Sequence, residues 1–176
     1  DSRQMLVYMT LIDSTEDRAK FEKIYLKYRG LMFSIANQIL NDPQDSEDSV
    51  HNAFVKIAEN IHKVGDAESP RTKAFIATIV ENTAIDLYRE KKHIDNRQSW
   101  QDSTGTFTDP ESGTALALCM AKMPPRYRQI LLLKYSYGYS NLEAAQLMDI
   151  SEANAIKLDQ RAKQRLRELC KEEGVL

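Results

Sequence analysis

The sequence predicts an all-α protein, in which a polar linker joins two helical domains. Apolar residues recur at steps of three and four along most of the 176 residues, the spacing of one helix face. Strand-like alternation is almost absent. Residues 94–113 are polar, rich in Ser, Thr, Asp and Gly, and nearly free of apolar periodicity. We therefore expect a domain at residues 1–93, a linker at 94–113 and a second domain at 114–176.

Three helices account for most of the first domain. The apolar spacing predicts one long amphipathic helix from Thr15 to Leu40, which the segment NDP at residues 41–43 ends. A second helix is expected to begin at Asp45 or Ser46, with acidic residues in its first turn. The loop VGDAESPRT separates it from a third helix, which closes with the cations of REKKH.

The second domain carries the signals of a helix-turn-helix. Residues 114–123 form a helix that two prolines stop, and RYRQILLLKYSYG forms the next one. Ser140 and Glu143 then make a capping box, in which each side chain bonds the backbone amide of the other at a helix start. Asp149 tolerates the left-handed turn that follows, and Ser151 is a good N-cap for a longer, basic helix. In such a motif the second helix lies in the DNA major groove.

Positive charge is concentrated in this last helix, although the chain has a net charge of -2. Residues 154–167 carry five basic side chains and one acidic side chain, Asp159. By helical geometry Asp159 borders the apolar stripe and points away from the groove, so we expect it to pair with a cation such as Lys163, four residues on.

Composition excludes several classes of protein. With 42% hydrophobic and 28% charged residues the chain is typical of a soluble globular protein. No apolar run approaches the roughly 20 residues that span a bilayer, and residues 5–12 lack the flanks of a signal peptide, so membrane insertion is not expected. Cys119 and Cys170 lie far apart in the sequence, without metal-ligand spacing or a disulfide framework, which favours a reducing cytoplasm.

Four segments in a fixed order resemble a known family. They are DSEDSVHNAFVKI at residues 45–57, FIATIVENTAIDLYREKK at 75–92, and MPPRYRQILLLKYSYGYSNLEAA followed by SEANAIKLDQRAKQRLREL. From about Phe21 to Leu169 the chain resembles the two conserved domains of extracytoplasmic-function (ECF) sigma factors of the sigma-70 superfamily. The resemblance implies a bacterial transcription initiation factor, with no enzymatic activity, cofactor or metal, that binds core RNA polymerase and directs it to specific promoters.

The resemblance also implies site residues in the first domain. The helix with the acidic run is expected to dock on the clamp helices of polymerase through Asp45, Glu47, Asp48, His51 and Phe54, although core packing explains Phe54 at least as well. The third helix and the loop before it resemble the element that captures unstacked bases of the minus-ten strand. The residues expected there are Arg71, Lys73, Asn82, Asp86, Arg89 and Lys92.

Particular side chains suit that capture of single-stranded bases. The amide of Asn82 can donate and accept along the edge of a flipped base. Cations around the third helix can hold phosphates, and Phe75 and Tyr88 offer flat apolar groups for stacking. Asp86 and Arg89, three residues apart, could instead simply pair on the helix surface.

The last helix is expected to read the minus-thirty-five element as duplex DNA. Asn154, Lys157 and Arg161 face the same way and are of the types that reach base edges. Lys163, Arg165 and Arg167 are better placed for phosphates, which fix position without carrying sequence. The minus-thirty-five residues are thus Ser151, Asn154, Lys157, Arg161, Lys163 and Arg165. The family usually has an apolar residue where Asp159 stands, so the base-by-base readout does not transfer.

The sequence also bears on other classes of protein. Glu47 and His51 lie on one helix face but lack the further ligands that a metal site needs, and the acidic run NDPQDSEDS lacks the spacing of a calcium loop. A stand-alone helix-turn-helix regulator would bind duplex DNA as a dimer without polymerase. A sigma-like adaptor would bind polymerase without reading promoters, which the departures in the last helix favour. The resemblance makes an anti-sigma factor a plausible partner.

Overall fold

The computed structural model describes residues 2–92 and 114–175, and the regular structure within these ranges is entirely helical. The all-α prediction is therefore confirmed. The chain divides into two compact units, residues 1–93 and 94–176, called the first and second unit below. The predicted linker at residues 94–113 lies outside the described residues.

The first unit is built on three packed helices. Its helices are α1 (Ser2–Met9), α2 (Thr15–Leu40), α3 (Pro43–Glu59) and α4 (Pro70–Lys92), with a 3₁₀ turn at Ile61–Lys63. Helices α2, α3 and α4 pack on one another, and α1 contacts α2 and α3. The predicted bounds of α2 are confirmed, because Ser14 caps its start and Asn41, at φ 49°, ends it in the left-handed region.

The start of α3 differs from the prediction. The helix begins at Pro43, two or three residues before the expected Asp45 or Ser46. The side chain of Asp42 accepts a hydrogen bond from the backbone N–H of Asp45 at 2.9 Å, and proline suits the first helical position, where its missing N–H costs nothing. Helices α2 and α3 are thus separated only by Asn41 and Asp42.

The second unit packs three shorter elements against one long helix. Its helices are α5 (Ala115–Ala121), α6 (Pro125–Leu131), α7 (Asn141–Met148) and α8 (Glu152–Glu172). A π-helical segment, Leu132–Ser136, continues α6, a break in regularity that the sequence did not indicate. Helix α8 contacts α5, α6 and α7, and its predicted stripe faces their shared core. The buried core side chains include Met123, Ile130, Leu133, Met148, Ala155, Leu158, Ala162 and Leu169.

The helix-turn-helix has the predicted local geometry. Both hydrogen bonds of the capping box between Ser140 and Glu143 are present at the start of α7. Asp149 adopts the left-handed conformation, with φ 56°, and ends that helix. The side chain of Ser151 accepts a hydrogen bond from the N–H of Asn154 at 3.1 Å, which caps α8. These short-range predictions are confirmed.

Candidate nucleic-acid interface

The N-terminal turns of α3 expose an acidic surface. The side chains of Glu47 and Asp48 are exposed, as is His51 one turn further on. Asp45 is less accessible and forms an ion pair with Lys91, at the end of α4. The hydrogen bond that Lys91 donates to the carboxylate of Asp45 raises the pKa of Lys91. Three of the five residues predicted to dock on polymerase therefore lie together at the surface, and Asp45 joins α3 to α4.

His51 lies beside a cavity of about 390 Å³ between α1, α2 and α3. Its Nδ1 is 2.7 Å from the hydroxyl of Tyr8. Burial, with the neighbouring Tyr25, raises the pKa of Tyr8 to about 12, so this phenol stays protonated. Arg29 and Glu47 also line the cavity. Its lining therefore combines one cation and one anion with aromatic side chains.

The burial of Phe54 disagrees with its predicted role in docking on polymerase. Its side chain is only 1% exposed, and its ring lies 4.8 Å from that of Tyr25 between ring centroids. Burying this apolar ring on the inner face of α3 stabilises the fold, because its apolar surface is removed from water. Phe54 therefore packs in the core, and the docking hypothesis narrows to the exposed residues and Asp45.

The loop before α4 is fastened to α2. The hydroxyl of Tyr28 donates to the carbonyl of Ala67 at 2.6 Å, and the ammonium of Lys20 donates to the carbonyl of Val64 at 2.7 Å. Lys27 forms an ion pair with Glu68, which raises the pKa of that lysine. Contacts to two backbone carbonyls fix the path of the loop, so α4 begins at a defined position.

Helix α4 presents the predicted minus-ten residues along its whole length. Arg71 and Lys73 are exposed at its start, Asn82 is half-buried in its middle, and Lys92 is exposed at its end. The guanidinium of Arg89 is 3.9 Å from the carboxylate of Asp86, so the surface pair weighed from the sequence forms. The structure thus spreads these six residues over more than five turns and does not gather them into one pocket.

The burial of Phe75 disagrees with its predicted role in stacking on a base. The side chain is 7% exposed and faces the core of the first unit, so it is not available to stack on a base. Tyr88 is half-buried near the end of α4 and retains an accessible part. Of the two flat groups suggested for single-stranded bases, Tyr88 is the one that the structure leaves at the surface.

Helix α8 exposes the three residues predicted to reach base edges. Asn154, Lys157 and Arg161 all lie on its solvent face, opposite the buried stripe. No described carboxylate lies within ion-pair distance of Lys157 or Arg161. Arg165 differs, because its guanidinium is 3.3 Å from Glu168 and 3.7 Å from Glu172.

Asp159 is the buried acidic residue of α8. It is 5% exposed, and its Oδ2 accepts hydrogen bonds from Lys134 at 2.7 Å and from the hydroxyl of Tyr135 at 3.0 Å. The ammonium of Lys163 lies 3.4 Å from the same oxygen, so the predicted partner is confirmed. Burial alone would raise the pKa of Asp159, but these hydrogen bonds and the charge of Lys134 outweigh it and hold the pKa below its usual value.

Sequence reasoning missed the partners of Asp159 outside its own helix. Lys134 and Tyr135 are consecutive residues of the π-helical segment, 25 and 24 positions away in the chain. No local spacing links such distant positions. The sequence indicates such a partner only through the position of the carboxylate beside an apolar stripe. A carboxylate that becomes buried there needs a cation on a neighbouring element, because an unpaired buried charge is costly.

The two cysteines are neighbours in the second unit, although they are far apart in the sequence. Both are buried free thiols. Burial, followed by the hydrogen bond with Cys170, raises the pKa of Cys119, which keeps this thiol protonated and unreactive. Beside them, Lys122 of α5 pairs with Glu173, just beyond the end of α8.

No group of three or more His, Cys, Asp and Glu side chains in residues 2–92 and 114–175 is placed to hold a metal ion. No helix in these ranges combines the length and apolar character that crossing a membrane requires.

Comparison with known families identifies the class of protein. Residues 24–94 match the family model for sigma-70 region 2, and residues 114–166 match the model for sigma-70 region 4. Together the two matches cover most of the chain, and each falls within one compact unit apart from a single residue at the boundary. The chain belongs to the sigma-70 family, and its relatives identify it as an ECF-type sigma factor, a transcription initiation factor.

Two curated relatives come from Bacillus subtilis (strain 168). The ECF RNA polymerase sigma factor SigM is 26% identical over 157 residues, which cover 84% of this chain and 93% of that protein. The RNA polymerase sigma factor SigZ is 27% identical over 135 residues, which cover 74% and 75% of the two proteins.

Among solved structures, the chain is similar to the sigma factor RpoE of Bartonella quintana, which was crystallised with the anti-sigma factor NepR. The TM-score is 0.47 at 17% identity, covering 86% of this chain and 96% of that chain.

Proposed function

We propose that this chain binds core RNA polymerase through the acidic face of α3 and directs it to promoters through α4 and α8. The observation that carries the proposal is that sigma-70 regions 2 and 4 occur in one chain, in that order. In each unit, polar and charged side chains lie on the outside of a well-packed helical core. Because core polymerase works in the cytoplasm, the chain is proposed to act there.

Polymerase docking is assigned to Asp45, Glu47, Asp48 and His51. Carboxylates at the N-terminal end of a helix are stabilised by its dipole, and an exposed acidic face attracts a basic partner surface. The pair of Asp45 with Lys91 fixes α3 against α4, which would transmit the position of the docked helix to the helix proposed to hold single-stranded DNA.

Promoter recognition is assigned to two surfaces. The first holds the melted minus-ten strand through Arg71, Lys73, Asn82, Asp86, Arg89 and Lys92. The second reads the duplex minus-thirty-five element through Ser151, Asn154, Lys157 and Arg161. Lys163 and Arg165 are secondary there, because each already pairs with a carboxylate.

The test is transcription by the reconstituted holoenzyme. The chain is combined with core polymerase and a library of promoter fragments, and transcripts that start at defined sites are sequenced. Specific transcripts support the proposal, whereas failure to bind polymerase would refute it. Asn82→Ala should reduce opening of selected promoters, with Asn52→Ala, an exposed amide on α3, as the matched control. Unchanged opening and base preference would remove Asn82 from the minus-ten surface.

A second candidate is an adaptor that binds polymerase without reading promoters. The pairing of Lys163 and Arg165 with carboxylates favours it, because both cations are then less available to DNA. In the same experiment an adaptor would bind polymerase and give no specific transcripts. A stand-alone helix-turn-helix regulator is disfavoured, because the first unit matches sigma-70 region 2. An anti-sigma factor remains a prediction from the family resemblance.

A further inference from the structure

Three ionised groups and a phenol meet where α8 packs on the π-helical segment. Asp159 lies at the centre, with Lys134 on one side and Lys163 on the other. The side chain of Lys134 is 16% exposed, and that of Lys163 is 42% exposed. The first cation therefore belongs to the interior of the unit, whereas the second reaches the surface on which DNA is proposed to lie.

Lys163 is held by two different contacts. Its ammonium is 3.4 Å from Oδ2 of Asp159 and 4.8 Å from the ring centroid of Tyr135, a geometry that combines an ion pair with a cation–π contact. Hydrogen bonds with Tyr135 and then with Asp159 raise the pKa of Lys163, so the lysine remains charged. A phosphate that attracts this ammonium must compete with both contacts.

The carboxylate cannot turn away easily to release the lysine. It is buried, and Oδ2 accepts hydrogen bonds from two consecutive residues of the π-helical segment. The other oxygen, Oδ1, is also buried and has no hydrogen-bond partner among the described residues. Rotation about the side chain would break the hydrogen bonds to Lys134 and Tyr135 together, which makes Asp159 a fixed negative charge.

We propose that Asp159 is an internal counter-charge that withholds Lys163 from DNA phosphates. This inference rests on the proposed function of α8. The helix then meets the DNA backbone with fewer cations than its sequence carries. Since phosphate contacts are the same for every sequence, their loss lowers non-specific affinity and leaves a larger share of discrimination to Asn154, Lys157 and Arg161.

The salt dependence of the DNA-binding constant gives the number of phosphates that the protein contacts. For duplex DNA the logarithm of the binding constant falls with the logarithm of salt concentration, with a slope of about -0.9 for each phosphate neutralised. The full chain is titrated onto a labelled mixed-sequence duplex at several salt concentrations, with fluorescence anisotropy as the readout. Asp159→Asn should bind more tightly at low salt, with a slope steeper by about 0.9, because Lys163 is released.

Matched substitutions in the wild-type background test the state of Lys163 directly. Lys163→Gln should leave the slope unchanged, because Asp159 and the ring of Tyr135 already hold this ammonium within the protein. Arg167→Gln, which removes an exposed cation of the same helix that is expected to contact a phosphate, should flatten the slope by about 0.9. A purely structural role for Asp159 would not produce this contrast between two cations of one helix.

Asp159→Asn leaves the buried Lys134 without its partner and could unfold the second unit. A second variant is therefore needed that removes both charges. Lys134→Met with Asp159→Leu replaces the buried pair by apolar side chains, a change that is often neutral or stabilising. This double variant should also steepen the slope, and adding Lys163→Gln should abolish the gain.

Two results would overturn the inference. One is a wild-type slope in both the Asp159→Asn and the double variant, and the other is a flatter slope for Lys163→Gln in the wild-type background. Either result with normal promoter-directed initiation would leave the proposed function intact. Absence of duplex binding by every variant, together with loss of promoter-directed initiation, would refute both.

Discussion

Replacing Phe54 by Ala separates a core role of this side chain from a docking role. The ring is 1% exposed, and its centroid lies 4.8 Å from that of Tyr25, 5.5 Å from Tyr8 and 5.9 Å from Phe21. Deleting a buried Phe ring costs about 3–5 kcal/mol of unfolding free energy. Since three aromatic neighbours lose a partner, we expect Phe54→Ala to lower the unfolding free energy of the first unit by about 4 kcal/mol.

The assay is urea unfolding of the full chain, followed by circular dichroism. Phe33→Ala is the matched control, because it deletes the same ring from a half-buried position on α2 and should cost less. Affinity for core polymerase, measured where Phe54→Ala is folded, should not change. A cost below about 1 kcal/mol together with lost polymerase affinity would refute the core role, because a surface substitution has that signature.

Three further predictions follow from single contacts. Asp42→Ala removes the cap of α3 and should cost about 1 kcal/mol in the same urea assay. Tyr28→Phe leaves the carbonyl of Ala67 without its buried donor, so it should cost about 1–3 kcal/mol and speed amide exchange in the loop before α4. Asp159 has a folded pKa below its ordinary 3.8, so its stabilising charge is present above about pH 4 and lost as pH falls through the lowered value. The difference in melting temperature between wild type and Asp159→Asn should therefore shrink below pH 4.

Short-range features could be predicted from the sequence because their causes lie within a few residues. The capping box of Ser140 and Glu143, the left-handed Asp149 and the pairing of Asp159 with Lys163 all depend on spacings of four residues or fewer. The start of α3 lies earlier than the sequence predicts, for a physical reason. Proline ends one helix and opens the next equally well, so the sequence alone does not show that Pro43 opens α3.

Long-range features could not be predicted, because periodicity assigns a residue to a face without naming what packs there. Phe54 shares α3 with acidic surface residues, and only the packing of α1 and α2 shows that its ring is enclosed. Lys134 became the partner of Asp159 through the approach of two helices. Cys119 and Cys170 meet for the same reason, although 51 positions separate them.

The two-residue connection between α2 and α3 sets the rotation of the acidic helix. Asn41 and Asp42 are each held in a defined conformation, one closing a helix and the other opening the next. An α-helix turns about 100° per residue, so inserting one residue after Pro43 would keep the cap and carry Glu47, Asp48 and Phe54 about a quarter-turn around the axis. Asp48 would then turn toward the core, and the aromatic ring of Phe54 would turn toward solvent. The length of this connection therefore decides which side chains of α3 form the acidic surface that is proposed to dock on polymerase.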